Sequence, residues 1–309
     1  MKISLDCIPC FVRQALDAAR LASPDPAIHE RILREVLLWA AEMDMNQTAP
    51  VMGQRIHRRL REIVGTEDPY RVTKDRQNRM ALRLFHELKG RVAAAADPLM
   101  TAARLAIAGN VIDLGVKGGV KDSEVRASVE EALADSFDGD HEGFRRAVGD
   151  ARRILYLADN AGEIAFDRLL IEELSPERVT VAVRGAPVIN DATRADALAV
   201  GLEEIVEIID NGSDAPGTVL HDCHETFRRR FAEADLILAK GQGNFETLSD
   251  EGHNIFFLFR AKCPVIAAHA GVPLGTHALI PGLGARRKDG KAAAGKKGGG
   301  DRDHADLRI

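Results

Sequence analysis

Apolar residues recur at helical spacing through the first half of the chain and gather into short runs through the second. Ile32, Val36 and Trp39 fall on one face of a helix between Ala27 and Met43. Val51, Ile56, Leu60 and Val64 repeat the pattern after Pro50, a residue suited to the first helical turn. Asp97-Pro98 reads as an N-cap followed by proline at N1, opening an alanine-rich helix over 98–108 that Gly109 ends. The periodicity predicts about seven helices and no strand before residue 150.

Beyond residue 150 short apolar runs alternate with helical patterns. The runs are Ile154–Leu157, Val179–Val183, Ile205–Ile209, Leu236–Leu238, Ile255–Phe259 and Val265–Ala268, with helical stretches over Ile164–Leu174, Ala192–Val200 and Thr218–Ala234. Such alternation predicts βαβ units and a mostly parallel sheet covered by helices. The expected fold is therefore α/β. An all-helical domain over residues 1–150 precedes a Rossmann-like three-layer domain over 151–285. Sites in such sheets lie outside the carboxyl ends of the strands, so the residues just past each run carry the search for chemistry.

Composition narrows the classes. Of 309 residues, 45% are hydrophobic and 29% charged, which suits a globular chain with a sizeable core. The net charge of −5 divides unevenly: residues 286–309 carry eight Lys/Arg against four Asp/Glu, leaving −9 on the rest. That tail has almost no large apolar residues and is expected to be disordered and solvated. The acidic body argues against nucleic acid as a partner, and no apolar run approaches the roughly 20 residues of a membrane span. The first residues lack the apolar core of a signal peptide, and four cysteines do not make a disulfide scaffold, so the expected location is cytoplasmic with reduced thiols.

The strand ends are rich in hard donors. Ile154–Ala158 leads into Asp159-Asn160-Ala161-Gly162-Glu163, and Val179–Val183 into Arg184-Gly185 and then Ile189-Asn190-Asp191. Each acidic or amide residue here could serve only as a helix cap. Together Asp159, Asn160 and Asp191 supply three oxygen ligands from neighbouring strand ends, suited to a divalent cation such as Mg²⁺ or Mn²⁺. Lys240, in Lys240-Gly241-Gln242-Gly243-Asn244, and Lys262 follow two further runs and suit phosphate as point charges. A metal-bridged phosphate is the economical reading. Gly241-Gln242-Gly243 lacks the third glycine of a dinucleotide loop, and no Walker-type loop occurs. Cys7-Ile8-Pro9-Cys10 is a lone C-x-x-C, with Cys223 and Cys263 isolated, and His221, Cys223 and His224 would have to complete it as a metal site.

The chain resembles the metal-dependent damage-control phosphatases, also known as domain of unknown function 89, in their prokaryotic branch with an N-terminal C-x-x-C. The likeness runs to about residue 280. It rests on Cys7–Cys10 with Arg13-Gln14-Ala15-Leu16, on Asp68-Pro69-Tyr70 and on 106–113, and on the strand-end segments already quoted with Lys262-Cys263-Pro264. The resemblance implies a divalent ion (Mn, Mg, Co or Ni) on Asp159, Asn160 and Asp191. It also implies phosphate contacts from Lys240 and Lys262, and substrate-side places for Glu163 and Asn244. Asn110 and Asp113 match a family motif to which no role is attached, and the tail has no counterpart.

The implied activity is hydrolysis of small phosphorylated metabolites (sugar phosphates or damaged phosphometabolites), with Asp191 or Glu163 orienting the attacking water. Two alternatives stand beside it: a protein carboxyl methyltransferase using S-adenosylmethionine, as assigned to one eukaryotic relative, and a non-catalytic metal- or thiol-binding protein built on Cys7 and Cys10. Nothing in the sequence sets the substrate, the metal or the oligomeric state.

Overall fold

The computed structural model describes residues 1–109, 122–134 and 137–282. Asn110, Asp113 and the basic tail lie outside them. Five helices open the chain: α1 (Cys7–Ala22), α2 (Pro26–Glu42), α3 (Ala49–Val64), α4 (Arg71–Ala94) and α5 (Pro98–Ala108). Their ends follow the expected chemistry. Asp97 accepts the Met100 amide as N-cap of α5, and Gly65 closes α3 in the left-handed conformation at φ 66°. Next come α6 (Asp122–Ala134), a short strand β1 (Phe137–Gly139) and α7 (His141–Asp150).

The second half holds six more strands: β2 (Ile154–Leu157), β3 (Val179–Val183), β4 (Glu207–Asp210), β5 (Leu236–Lys240), β6 (Ile255–Arg260) and β7 (His277–Pro281). Between them lie α8 (Glu163–Glu173), α9 (Arg194–Ala199), α10 (Glu225–Glu233), α11 (Gly241–Leu248) and α12 (Pro264–Ala270). The sheet order is β1-β7-β6-β5-β2-β3-β4, parallel throughout except that β7 runs antiparallel to β6. Every residue of β2 and β5 is buried, so these strands read as continuous apolar runs because both faces are covered.

Three apolar clusters hold the molecule together. One packs α4, α5 and α8 on one face of the sheet through residues such as Leu84, Leu105, Ile164, Tyr156 and Val181. The second fills the other face with Phe227, Phe245, Phe257 and Ile266. The third joins α1, α2 and α3 around Phe11, Ile32 and Met52. A mixed helical and α/β architecture with a mostly parallel sheet was legible in the pattern. Several details differ. Val265–Ala268 lies in α12 instead of a strand, because Cys263 caps it, Pro264 occupies the first turn and Gly271 closes it at φ 73°. β1, before residue 150, is three largely exposed residues at the sheet edge and carries no apolar alternation. β7 was missed because its apolar run is only Ala278-Leu279-Ile280.

Buried charge ties the helices to the sheet. Lys74 on α4, with no exposed surface, places Nζ 2.8 Å from Asp196 Oδ2, and Asp196 is itself the third residue of a capping box at α9. Arg71 and Asn78 donate to Asp196 Oδ1 at 2.7 and 2.9 Å. Among the described residues, no helix is long and apolar enough to cross a membrane.

His57 on α3 is buried edge-on to Tyr70, with ring centroids 6.0 Å apart. Burial, aided by the nearby Arg61 charge, lowers its pKa from 6.5 to about 4. The folded state therefore refuses a proton that the unfolded chain accepts, and stability falls as pH drops from about 6.5 to about 4. The full depression corresponds to about 3 kcal/mol. Urea denaturation across that window is expected to show the decline in the parent protein and a flatter profile in His57→Gln; equal slopes would contradict the assignment.

Candidate active site

The carboxyl ends of β2 and β3 each run into a loop, and the two loops are laced together. The Asp159 carbonyl accepts the Ala192 amide at 2.7 Å, Asn190 O accepts the Ala161 amide at 2.8 Å, and Asn160 pairs with Asp191 as an isolated antiparallel bridge. Asp159, Asn160 and Asp191 are thus brought together at the sheet edge, as the strand-end reading expected. All three line a cavity of about 1210 Å³ between that edge and the helices α1 and α3.

Two backbone details make the approach possible. Gly162, at φ 76°, turns the chain into α8, and its amide donates to Asn78 Oδ1 on α4 at 2.7 Å. Gly241, at φ 77°, lies so close to Asp159 that a Cβ there would sit 2.0 Å from Oδ2 and force the Asp159 side chain to move. Ile189 is held at φ 47°, a costly conformation for a β-branched residue, and its side chain packs against the α1–α3 cluster. The helices therefore help set the loop that carries Asp191.

The donor set suits a hard divalent cation. Both amide protons of Asn160 are spent, on Asp159 Oδ2 at 3.0 Å and Glu163 Oε2 at 3.2 Å, so Asn160 offers its carbonyl oxygen beside the two carboxylates. Burial, with Asp191 and Glu163 close by, pushes the Asp159 carboxyl well above the usual carboxylate range. The site has more negative charge than its own cations settle, which a bound divalent ion would relieve. Asp159, Asn160 and Asp191 are the residues that would hold it.

Arg184, which follows β3 directly, lies between the two carboxylates. Its Nε donates to Asp191 Oδ2 at 2.6 Å, and its Nη2 stands 3.6 Å from Asp159 Oδ1, buried and without a hydrogen bond. Sequence reasoning quoted Arg184 but gave it no role.

Lys240 is the largest departure from expectation. Instead of facing phosphate, it is fully buried, and its three donors reach Glu163 Oε1 at 2.5 Å, Asp167 Oδ1 at 2.6 Å and the Ala106 carbonyl at 2.9 Å. An ammonium has three protons, and all are engaged within the protein. Burial alone would lower its pKa, but Asp167 and Glu163 outweigh that and hold it above the ordinary value. Burial lifts Asp167 to about 6 against the pull of Lys240, and its Oδ1 also accepts the Tyr156 hydroxyl at 2.8 Å.

Glu163 is likewise enclosed, accepting from Lys240 on one oxygen and from Asn160 on the other. Asn244 is also buried. Its amide donates to Lys240 O at 2.7 Å, and its carbonyl accepts Thr218 Oγ1 at 2.8 Å. A signal for Asp167 was available: it stands four residues after Glu163, on the same helix face.

Lys262 does line the cavity, and its backbone amide is held by Gln242 Oε1 at 2.7 Å. Cys7 opens α1 half-buried, Cys10 is exposed, and burial raises both thiols above the ordinary value, which keeps them protonated. Among the described residues, no group of three His, Cys, Asp or Glu is arranged to hold a metal ion, the cysteines included.

A family model described as the damage-control phosphatase ARMT1-like domain matches residues 3–278. A damage-control phosphatase of Pyrococcus horikoshii is 35% identical over 281 residues, covering 89% of this chain and 96% of its own. A damage-control phosphatase of Archaeoglobus fulgidus is 36% identical over 282 residues, covering 89% and 97%. An uncharacterised protein of Methanocaldococcus jannaschii is 32% identical over 296 residues, covering 91% and 95%. The crystal structure of a DUF89 family protein from P. horikoshii superimposes with a TM-score of 0.84 at 33% identity, over 91% of this chain and 99% of that one.

Removing the Lys240 charge strands two buried carboxylates. Lys240→Met is expected to cost roughly 3–5 kcal/mol in denaturant unfolding, and adding Glu163→Gln and Asp167→Asn is expected to recover part of it. A change below about 0.5 kcal/mol, as at an ordinary surface position, would refute the buried clamp.

Proposed function

Because this chain belongs to the damage-control phosphatase ARMT1-like family, we propose that it is a metal-dependent phosphatase acting on small phosphorylated metabolites. The observation that carries the reading is the oxygen set Asp159, Asn160 and Asp191 lining one cavity with Lys262. When bound there, a divalent ion (Mg²⁺, Mn²⁺, Co²⁺ or Ni²⁺) supplies Lewis-acid polarisation of the phosphoryl group.

The chain's own residues do the rest. Lys262 neutralises charge on the phosphoryl oxygens, the role first shared with Lys240. Arg184 anchors the Asp191 carboxylate through its Nε at 2.6 Å, and that carboxylate orients the attacking water and accepts its proton. The water oxygen bonds to phosphorus as the P–O ester bond breaks, and the leaving alkoxide takes a proton from solvent. Glu163, anchored by Lys240, keeps the Asn160 carbonyl turned toward the cation site. Methyl transfer, the alternative chemistry, needs neither an oxygen-donor cation site nor a lysine facing phosphate.

Asp159→Ala is the direct test. Release of inorganic phosphate from a panel of sugar phosphates, assayed with each of the four metals, is expected to fall by about 100-fold or more. Undiminished turnover would reject the assignment of the cation site.

A further inference from the structure

The cavity extends well past the site where phosphate is cleaved, and its far wall changes sign. Arg20, in the last turn of α1, and Arg260, at the end of β6, line it together with Lys262. Apart from the Asp159 and Asp191 pair, Asp17 is the one carboxylate along the cavity wall among the described residues, so three cations face one anion there. That excess is local, because residues 1–285 carry −9 overall. Arg260 Nε donates to the Gly275 carbonyl at 3.1 Å, which anchors the base of its guanidinium. Leu21 and Leu274, 40% and 58% exposed, also line this cavity and offer apolar surface to whatever occupies it.

The sheet supplies a length scale. β2 pairs with β5, and β5 with β6, so Arg260 lies two strand spacings from Asp159 at the same end of the sheet. Two spacings of roughly 4.8 Å put the two backbones about 10 Å apart across the sheet.

We infer that Arg20 and Arg260 form a second anion subsite, and that the preferred substrates are phosphomonoesters carrying another anionic group on the order of 10 Å from the phosphate that is removed. This deepens the phosphatase reading above and rests on it for the word substrate. The selectivity itself is a property of binding and is read without turnover. A substrate with one phosphate and a neutral body satisfies the cation site but leaves both arginines to water. A doubly anionic one engages both ends, with its body crossing Leu21 and Leu274.

The test uses two non-hydrolysable probes, hexane-1,6-bisphosphonate and hexylphosphonate, whose phosphonates differ in number but not in kind. Calorimetry with the full chain and Mn²⁺ is expected to give about tenfold tighter binding of the bisphosphonate. In Arg20→Gln/Arg260→Gln the ratio is expected to fall toward one, and Arg260→Lys alone to retain most of it. Equal binding of the two probes by the parent protein, or a ratio unmoved by the double variant, overturns the subsite. Turnover is measured separately on fructose 1,6-bisphosphate and fructose 6-phosphate. Selective binding of the bisphosphonate without hydrolysis of either sugar would uphold the subsite and reject the phosphatase reading. Hydrolysis of both with equal kcat/KM and equal probe binding would do the reverse.

Discussion

One ammonium group with no access to water organises this site. Lys240, at the last position of β5, reaches across to the Ala106 carbonyl on α5 and to Glu163 and Asp167 on α8. A buried cation is tolerable only when every proton finds an acceptor, so three elements must meet at one point for the sheet and helices to pack as they do. The consequence reaches the chemistry. Glu163, fixed by Lys240, fixes the Asn160 amide in turn, and the orientation of that amide decides which atom Asn160 turns toward the cavity. A side chain enclosed by the protein thereby fixes the orientation of a donor that faces the cavity.

The same economy governs the two carboxylates. Asp159 and Asp191 share Arg184, and Gly241 lets the α11 turn close over Asp159 where any side chain would collide. The helices are not a separate ornament on the sheet. Asn78 of α4 receives the Gly162 amide, the α4 charges hold Asp196 at the head of α9, and the left-handed Ile189 is seated in the α1–α3 cluster. Each link pins one of the two loops that bring Asp159, Asn160 and Asp191 together. Phosphoryl transfer depends on positioning and electrostatics more than on covalent chemistry, and this is a scaffold that spends its buried charges on positioning.

Much of this was legible in the chain. The apolar runs at 154–157 and 179–183 and the cap at Asp97 depend on local spacing, and they fell where spacing put them. Asp159, Asn160 and Asp191 were readable because strand ends in parallel sheets converge by topology. Burial was not readable. Lys240 ends β5 and Lys262 follows β6, yet one is enclosed by α5 and α8 while the other lines the cavity, and only the packing of elements far apart in sequence distinguishes them. The burial of Asn244 was hidden for the same reason. The strain at Ile189 leaves no trace in residue type, and α12 looked like a strand because seven residues of apolar helix are too short to show their period.

The central claim is that the cation site is Asp159, Asn160 and Asp191, held in place by a lysine that never touches phosphate. The most direct measurement is anomalous diffraction at the manganese edge from crystals of the full chain soaked in Mn²⁺ and inorganic phosphate. The account predicts one peak within bonding distance of oxygens from those three residues, phosphate density beside it facing Lys262, and Lys240 still bound to Glu163 and Asp167. A peak at Cys7 and Cys10 with none at Asp159, or phosphate seated on Lys240, would contradict it.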